Sequence, residues 1–230
     1  MKRSKINAFI VDAIAFFEQS RFHLPPFAYW TPEDWGSKGE EVREIVDRQL
    51  GWDITEYGEG RFKQLGLLLF TLRNGLMADL QKGQGKLYAE KIMIVGVDQI
   101  TPMHFHWDKT EDIINRGGGK LVIQLYNADE DDRLDASDVT VNVDGVIWRV
   151  KAGDSVVLNP GESITLPPRL YHKFWAIGSR VLTGEVSTIN DDKNDNRFYE
   201  PLDRFPTIEE DEPPLYLLVN DYSIYYRPYR

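Results

Sequence analysis

The sequence predicts an all-β-dominated fold, a small β-barrel with N-terminal helices packed outside it. From about Phe62 onward, short apolar runs follow a period of two, which is typical of strands that bury one face. Turn residues separate these runs, and Asp144-Gly145 between two of them is a strong hairpin signal. So many short strands favour a barrel or sandwich over a parallel α/β sheet.

Residues 1–60 are predicted to form a helical section that packs on the barrel. The first helix is amphipathic, because apolar residues recur there at helical spacing. These residues are Ile6, Ile10, Ala13, Ile14 and Phe17. A second helix is predicted to begin near Ser37, since Ser37-x-x-Glu40 has the pattern of a capping box, and to end at Gly51. Its apolar face consists of Val42, Ile45, Val46 and Leu50.

Residues 61–230 are predicted to form the barrel with a C-terminal extension. The whole chain is expected to be one structural domain, because β-barrels of this length commonly fold as one. The predicted strands lie at residues 67–72, 86–97, 120–126, 139–143, 146–150, 155–158, 163–166, 172–177 and 180–187.

Composition excludes several classes of site. The chain has 27 basic and 37 acidic residues and a net charge of −10, which argues against nucleic acid as a partner. It has no cysteine, so disulfides, thiolate metal sites and thiol nucleophiles are excluded. Asp12 and Glu18 interrupt the first apolar run, and no stretch approaches the ~18 apolar residues of a membrane span. These features predict a cytoplasmic protein.

Three of the four histidines form one metal-ligand pattern, His104-x-His106-x4-Glu111 followed by His172. Residues two apart on a strand point to the same face, so His104 and His106 can present two imidazoles to one ion. Glu111 and His172 would complete a three-nitrogen, one-oxygen set that leaves coordination positions open for water or substrate. The alternative is a set of unrelated histidines, and the sequence around His172 counts against it.

The two histidine segments together resemble the paired motifs of the cupin superfamily, a small jelly-roll β-barrel with a metal in its lumen. Gly118 stands seven residues after Glu111, Gly161 stands six before Pro167, and His172 follows Pro167 by five, as in the family pattern. Three positions depart from it. The nearest glycine before His104 is eight residues away rather than six, Arg169 replaces a glycine, and Ala176 replaces an asparagine. None of these is a metal ligand, so the departures concern loop shape more than metal binding.

Lys109 and Glu185 are the candidates for acid–base chemistry. Glu111 lies an odd number of residues from both histidines, so a one-residue irregularity after Trp107 or Asp108 is expected to restore the strand phase. Lys109 then shares the parity of Glu111 and can point inward, although a surface lysine on a loop fits equally well. Glu185 belongs to the polar face of a predicted strand, and a lumen carboxylate near a divalent ion can take a proton from carbon.

The segments 104–112, 166–169, 184–187 and 190–192 are similar to those of the cupin-type D-lyxose isomerases, and the similarity spans nearly the whole chain. This resemblance implies a Mn²⁺-dependent aldose–ketose isomerase that interconverts D-lyxose with D-xylulose and D-mannose with D-fructose as a homodimer. A nitrogen–oxygen site also accepts Co²⁺, Fe²⁺, Ni²⁺ or Zn²⁺. The resemblance implies metal ligation by the four residues above and catalytic roles for Lys109 and Glu185.

Glu185 is assigned as the base that moves a proton between C2 and C1, and Lys109 as an acid or polar group for the sugar oxygens. These roles could be exchanged, and a hydride shift stays open. Asp192, Arg197 and Phe174 are assigned to sugar binding. The C-terminal tyrosines could line the sugar site or a subunit contact, but covering an exposed sheet or barrel end is favoured. These tyrosines are Tyr222, Tyr225, Tyr226 and Tyr229.

Three other functions are compatible with a metal-binding cupin. An iron-dependent dioxygenase would have the same ligands but an apolar substrate pocket. A non-catalytic sugar-binding cupin would lack an acid–base pair. A phosphosugar isomerase would need a basic pocket, and the sequence shows no concentrated cluster of lysine and arginine.

Overall fold

The computed structural model describes residues 1–80 and 82–226, which fold around one antiparallel sheet of twelve strands. The strands are β1 (Gly51–Thr55), β2 (Leu67–Arg73), β3 (Tyr88–Val95), β4 (Thr101–His106), β5 (Glu111–Ala128), β6 (Leu134–Asp135), β7 (Val139–Val143), β8 (Val146–Val150), β9 (Ser155–Leu158), β10 (Ser163–Leu166), β11 (Leu170–Thr188) and β12 (Asn196–Phe198). The predicted strands at 139–143, 146–150, 155–158 and 163–166 are confirmed without change of bounds. β1 was not predicted, and it places a strand inside the section expected to be helical.

The helices are shorter and more numerous than the sequence predicts. They are α1 (Arg3–Gln19), α2 (Pro32–Gly36), α3 (Arg43–Asp47), α4 (Met77–Leu80) and α5 (Tyr222–Tyr225), with 3-10 turns at Pro26–Tyr29, Glu40–Val42 and Val219–Asp221. The capping box predicted at Ser37 and Glu40 is wrong. Ser37 ends α2, and its hydroxyl donates to the carbonyl of Asp34. The box belongs to Thr31 and Asp34, where Pro32 favours the first helical turn. None of the described helices has the length and apolar character to cross a membrane.

Two long strands, β5 and β11, form the centre of the sheet. They pair from Leu170 opposite Asn127 to Ser187 opposite Glu111, so the two strands predicted at 172–177 and 180–187 are one strand. Its register shifts between Ile177 and Val181, where the strand bends. The strand order along the sheet is β1-β2-β3-β11-β5-β10-β7-β8, while β4 pairs with β11 and β12.

Gly118 lies at this bend, and its place explains why the sequence pattern has a glycine there. Its φ of +99° is in the region that favours glycine. A Cβ atom on Gly118 would lie 2.2 Å from the carbonyl oxygen of Arg180 on the facing strand. The close approach of β5 and β11 at the bend therefore requires a residue without a side chain.

Two apolar layers lie on opposite faces of the sheet. On β2, Leu67 and Leu69 belong to the core inside the barrel, whereas Leu68 and Phe70 belong to the layer beneath α1. Alternate residues of a strand point to opposite faces, so a strand covered on both sides is continuously apolar. The barrel interior is thus filled at one end by apolar side chains, and polar groups are collected at the other.

The helix α1 is predicted to contribute substantially to stability through its buried face. Ile10 is fully buried against the sheet, and Ile10→Ala should lower the free energy of unfolding by about 2–5 kcal/mol, because it removes packed methyl groups and leaves a cavity. Val11 is 52% exposed, so Val11→Ala is the matched control and should change stability by less than about 0.5 kcal/mol. Urea titration of both variants measures the difference. Equal losses would show that α1 is not docked in this way.

The C-terminal tyrosines pack at the β1 edge of the sheet. The Tyr222 hydroxyl donates to the carbonyl of Leu50, and the Tyr226 hydroxyl donates to that of Gly39. Both rings contact Trp35 of α2. They cover the edge of the sheet and do not line the lumen. Tyr229 lies outside the described residues.

Candidate active site

The four predicted metal-ligand residues meet inside the barrel. His104 and His106 end β4, Glu111 begins β5, and His172 lies on β11. One ligand atom from each residue lies within 4.8 Å of the others, and all four side chains are buried. The sheet register produces this meeting, because His172 is the direct partner of His104 across β4 and β11. Strand pairing therefore assembles a site from residues far apart in sequence.

The imidazoles of His104 and His172 are oriented by backbone carbonyls. Nδ1 of His104 lies 2.8 Å from the carbonyl oxygen of Pro102, and Nδ1 of His172 lies 3.0 Å from that of Leu170. When Nδ1 carries the hydrogen and donates it, Nε2 presents its lone pair to the cluster. Among the described residues, Nε2 of His172 is a buried atom without a hydrogen-bond partner, although Oε1 of Glu111 lies 3.0 Å away. A buried cation would satisfy that atom.

The ionisation of His104, His106 and Glu111 also suits a metal. Burial, together with the neighbouring His172 and His106, lowers the pKa of His104 well below its usual value. Burial and the charge of Lys109 lower the pKa of His106. Burial alone would raise the pKa of Glu111, but Lys109 and the imidazoles outweigh it and hold that pKa well below the usual range. Neutral imidazoles and a carboxylate are the forms that bind metal, so the quartet could hold a divalent ion.

The irregularity expected after Trp107 or Asp108 is a turn between two strands, and it allows the Glu111 side chain to face the two histidines. β4 ends at His106, residues 107–110 form the turn, and β5 starts at Glu111. Lys109 lies in this turn but is buried, with Nζ 2.8 Å from Oε2 of Glu111 and 3.0 Å from Oε1 of Glu185. The sequence left open whether Lys109 points inward or lies on the surface of a loop, and in the structure its side chain points inward.

Glu185 stands between two ammonium groups. Its Oε1 lies 3.0 Å from Nζ of Lys109 and 3.3 Å from Nζ of Lys91. Lys91 is buried as well, and it donates to Oδ1 of Asn190 at 2.6 Å. Burial alone would lower the pKa of Lys109, but the carboxylates of Glu111 and Glu185 raise it above its usual value. The carboxylate of Glu185 is therefore fixed beside a lysine that stays protonated.

Lys91 was missed at the sequence level, although one signal was present. Lys91 is buried in β3 directly before the apolar residues Ile92 to Val95, and it lies opposite Glu185 across β3 and β11. A single lysine in a strand buried on both faces needs a buried acidic partner. The sequence alone does not show which acid lies opposite it.

Asp192, Phe174 and Arg197 were predicted to contact the substrate, and the structure places two of them at the lumen. Asp192 and Phe174 line it. Arg197 does not, because the neighbouring Asn196 and Phe198 on β12 point inward and strand alternation turns Arg197 outward. The guanidinium that lines the lumen belongs to Arg204, which no sequence pattern indicated.

Arg204 joins Asp192 to a further buried carboxylate. Its Nη2 lies 2.6 Å from Oδ2 of Asp53 and 3.0 Å from Oδ2 of Asp192. Burial alone would raise the pKa of Asp192, but Lys91 and Arg204 hold it well below the usual range. The lumen is thus lined by alternating positive and negative groups beside the quartet. The rest of its wall is mostly apolar and includes Leu67, Leu69, Met93, Phe174 and Phe198.

Sequence comparisons agree on one family. A sequence model of the D-lyxose isomerase family matches residues 1–222. The D-lyxose/D-mannose isomerase of Escherichia coli O157:H7 is 50% identical over 225 residues, which cover 96% of this chain and 98% of the relative. The D-lyxose/D-mannose isomerase of Serratia proteamaculans is also 50% identical, over 226 residues with the same coverage.

Solved structures with a similar fold include L-ribose isomerases. That of Cellulomonas parahominis with L-ribose has a TM-score of 0.58 at 15% identity, and that of Geodermatophilus obscurus has 0.59 at 14%. Each similarity covers 91% of this chain and 98% of the other. At such identities they show the fold alone, and they confirm the predicted strand-dominated, cupin-type barrel. From the family match and the two relatives at half identity, we conclude that this chain is a sugar isomerase that belongs to the D-lyxose isomerase family.

Proposed function

We propose that this protein is a divalent-metal-dependent aldose–ketose isomerase that interconverts D-lyxose with D-xylulose and D-mannose with D-fructose. The observation that carries the proposal is the contact between Lys109, Glu185 and the ligand-type residue Glu111 in one buried lumen. An acid–base pair beside a metal-ligand set is what proton transfer next to a carbonyl requires. The names of the two relatives at 50% identity support D-lyxose and D-mannose, and D-xylulose and D-fructose are the ketoses that isomerisation of these two aldoses produces.

We propose Mn²⁺ as the metal, held by the quartet His104, His106, Glu111 and His172. Three observations support this assignment. The Nδ1 atoms of His104 and His172 lie beside backbone carbonyls, and Nε2 of His172 is buried without a hydrogen-bond partner. The low pKa of Glu111 keeps its carboxylate ionised. When bound, a divalent ion stabilises negative charge that develops on the sugar oxygens. Nitrogen and oxygen donors suit several divalent ions, so the assignment of Mn²⁺ rests on the family resemblance.

Glu185 is proposed to be the carbon base. Each contact that its carboxylate makes with the described residues uses Oε1, so Oε2 is available to a substrate. Glu185 would take the proton from C2 of the aldose, leaving an enediolate, and deliver it to C1, while the hydroxyl proton of O2 passes to O1 and the ketose forms. Its side chain is only 6% exposed, which limits exchange of the proton in transit with solvent without preventing it.

Lys109 is proposed to serve the sugar oxygens. Its raised pKa keeps it protonated, and a buried ammonium can donate hydrogen bonds to an oxygen that gains negative charge. Lys109 also holds Oε1 of Glu185, and this contact orients the base. Loss of Lys109 would therefore affect both the orientation of Glu185 and the charge on the substrate.

The charges in the lumen favour a free polyol over the other substrates considered. The fold brings together three cations that are dispersed in sequence, Lys91, Lys109 and Arg204. Each of them is paired with a carboxylate of the protein, whereas a phosphate pocket needs cations without such partners. The same charges make the lumen a poor site for the apolar substrate of a dioxygenase.

One assay separates these functions. Metal-stripped protein with Mn²⁺ added back is offered free and phosphorylated aldoses and ketoses, under air and under nitrogen. Conversion of D-lyxose and D-mannose that is equal in both atmospheres supports the isomerase. Dependence on oxygen would support a dioxygenase, preference for phosphorylated sugars would support a phosphosugar isomerase, and lack of conversion would support a binding protein.

Removal of the metal is expected to lower the melting temperature. Ligands from β4, β5 and β11 converge on the site, so an ion that binds the native state stabilises it by mass action. The gain is about 2.7 kcal/mol when free metal is a hundred times its dissociation constant. Calorimetric scans with added Mn²⁺ and with chelator measure it. Coincident scans would contradict a native site built from several strands.

We further propose a homodimer located in the cytoplasm, with each chain folded as one domain. The family resemblance supports the dimer, and a chain without cysteine is compatible with a reducing compartment. Light scattering in solution tests the dimer, and fractionation of cells that express the protein tests its location. A monomer at working concentration would contradict the first part.

A further inference from the structure

A second cavity lies next to the lumen. Around the quartet the lumen has a free volume of about 40 Å³, which is room for roughly three water molecules. A pentose or hexose chain does not fit into that volume. The neighbouring cavity has about 240 Å³ and lies between β1, β2 and the loop that follows β11. A sugar whose reacting end lies at the quartet must therefore extend beyond the lumen.

Polar contacts lie between the two spaces. Asp192 lines both of them. Beside it, Asn190 of the second cavity accepts from Lys91 of the lumen, and Asp53 of the second cavity accepts from Arg204 of the lumen. Sugar hydroxyls can form hydrogen bonds with polar groups of this kind, so the boundary between the two spaces can bind a polyol.

A row of polar side chains crosses the sheet from the second cavity to the base. Thr71 on β2 lies opposite Lys91 on β3, and Lys91 lies opposite Glu185 on β11. Direct partners in neighbouring strands point to the same face, and strands are ~4.8 Å apart, so Thr71 lies about 10 Å from Glu185. A six-carbon open chain with a hydrogen bond at its far end spans such a distance.

The second cavity has the lining of a carbohydrate site. Hydroxyl, amide and carboxylate groups can bond sugar hydroxyls, and apolar side chains can contact the carbon chain. The polar groups include Asp53, Thr71, Asn74 and Asn190, and the apolar ones include Ile189 and Phe205. Thr71 is buried at the β2 wall of this cavity.

We propose that the second cavity is the subsite for the non-reacting end of an open-chain sugar, and that the Thr71 hydroxyl binds the terminal hydroxymethyl group of a hexose. The inference rests on the proposed function, because it takes Glu185 as the point where the reacting carbons lie. A pentose ends one carbon earlier and does not reach Thr71. Thr71 is thus a specificity residue for six-carbon over five-carbon substrates.

Binding of sugar alcohols tests the subsite without any turnover. D-Mannitol and D-arabinitol are the reduced open chains of D-mannose and D-lyxose, and their affinities for the Mn²⁺-loaded protein are measured by calorimetry. Thr71→Val keeps the shape but removes the hydroxyl, so mannitol should bind roughly fivefold to tenfold more weakly. Arabinitol should bind within about twofold of wild type. Thr71→Ser keeps the hydroxyl and should retain the affinity for mannitol.

The matched control is Thr140→Val on β7, where the side chain is exposed and far from both cavities. Melting curves verify that each variant folds. The subsite is contradicted if wild type binds no mannitol, if Thr71→Val binds it as wild type does, or if Thr71→Ser is the variant that loses affinity. A wild-type protein that binds mannitol as expected but converts no sugar would contradict the proposed function and still support the subsite.

Discussion

Glu185→Gln is expected to lower turnover of D-lyxose by roughly 100-fold or more, because a neutral amide cannot take a proton from carbon. The change keeps the size of the side chain, and its amide oxygen can still accept the hydrogen bond from Lys109. Metal content should stay near that of wild type, since Glu185 is not one of the ligand-type residues. Steady-state kinetics and elemental analysis of the same preparation measure the two quantities.

The control for this variant is Glu200→Gln, an exposed glutamate outside the lumen, which should turn over sugar at the wild-type rate. Wild-type turnover by Glu185→Gln would reject the assignment. A second measurement separates proton transfer from hydride shift. In D₂O the wild-type enzyme should place deuterium at C1 of the ketose or C2 of the aldose, because a carboxylate exchanges its proton. Complete absence of deuterium would favour a hydride shift or a proton that is fully shielded from solvent.

His172→Ala is expected to abolish tight metal binding and, with it, isomerisation. Even an outer-sphere partner of a metal ligand is worth roughly 10–100-fold in affinity, so loss of a ligand should weaken binding by more than about 100-fold. The remaining groups cannot compensate, because the cluster has one ligand atom from each of its four residues. Metal content after dialysis and titration with Mn²⁺ measure the effect.

His23→Ala is the matched control, since His23 is the one histidine outside the cluster and is exposed. It should bind metal as wild type does. Undiminished metal in His172→Ala would show that the ligand set is wrong. Because His172 is also buried, its variant is compared with metal-free wild type in melting experiments. The two should then differ only by a modest packing loss.

The grouping of His104 with His106 could be predicted because its information is local. His104 and His106 share one face of a strand by the period of two alone, and that period needs no knowledge of the fold. Lys91 and Arg204 could not be found in this way. Each is a single basic residue whose partner, Glu185 or Asp192, comes from another part of the chain. Only the register of β3 against β11 shows that Lys91 faces an acid.

The wrong capping box at Ser37 and the position of Arg197 outside the lumen also depend on context that the sequence pattern does not show. Ser37 and Glu40 had the pattern of a capping box, but Thr31 before Pro32 competes for the helix start and has it in the structure. Arg197 lies in a polar loop near the site, and this position predicted a contact with the sugar. The loop includes a short strand, and the alternation of that strand decides which side chains enter the lumen.

The position of β11 in the chain has a consequence for the order of assembly during synthesis. β11 supplies His172 and Glu185, and it pairs with β3, β4 and β5, all of which leave the ribosome before it. The sheet cannot close until residues 170–188 are available, so its nucleus depends on contacts of high sequence separation, which form slowly. The nascent chain therefore exposes two histidines and a glutamate without their fourth partner. For the proposed metal site, this order means that the ion would bind after closure of the barrel, when the cell's free metal meets a folded protein.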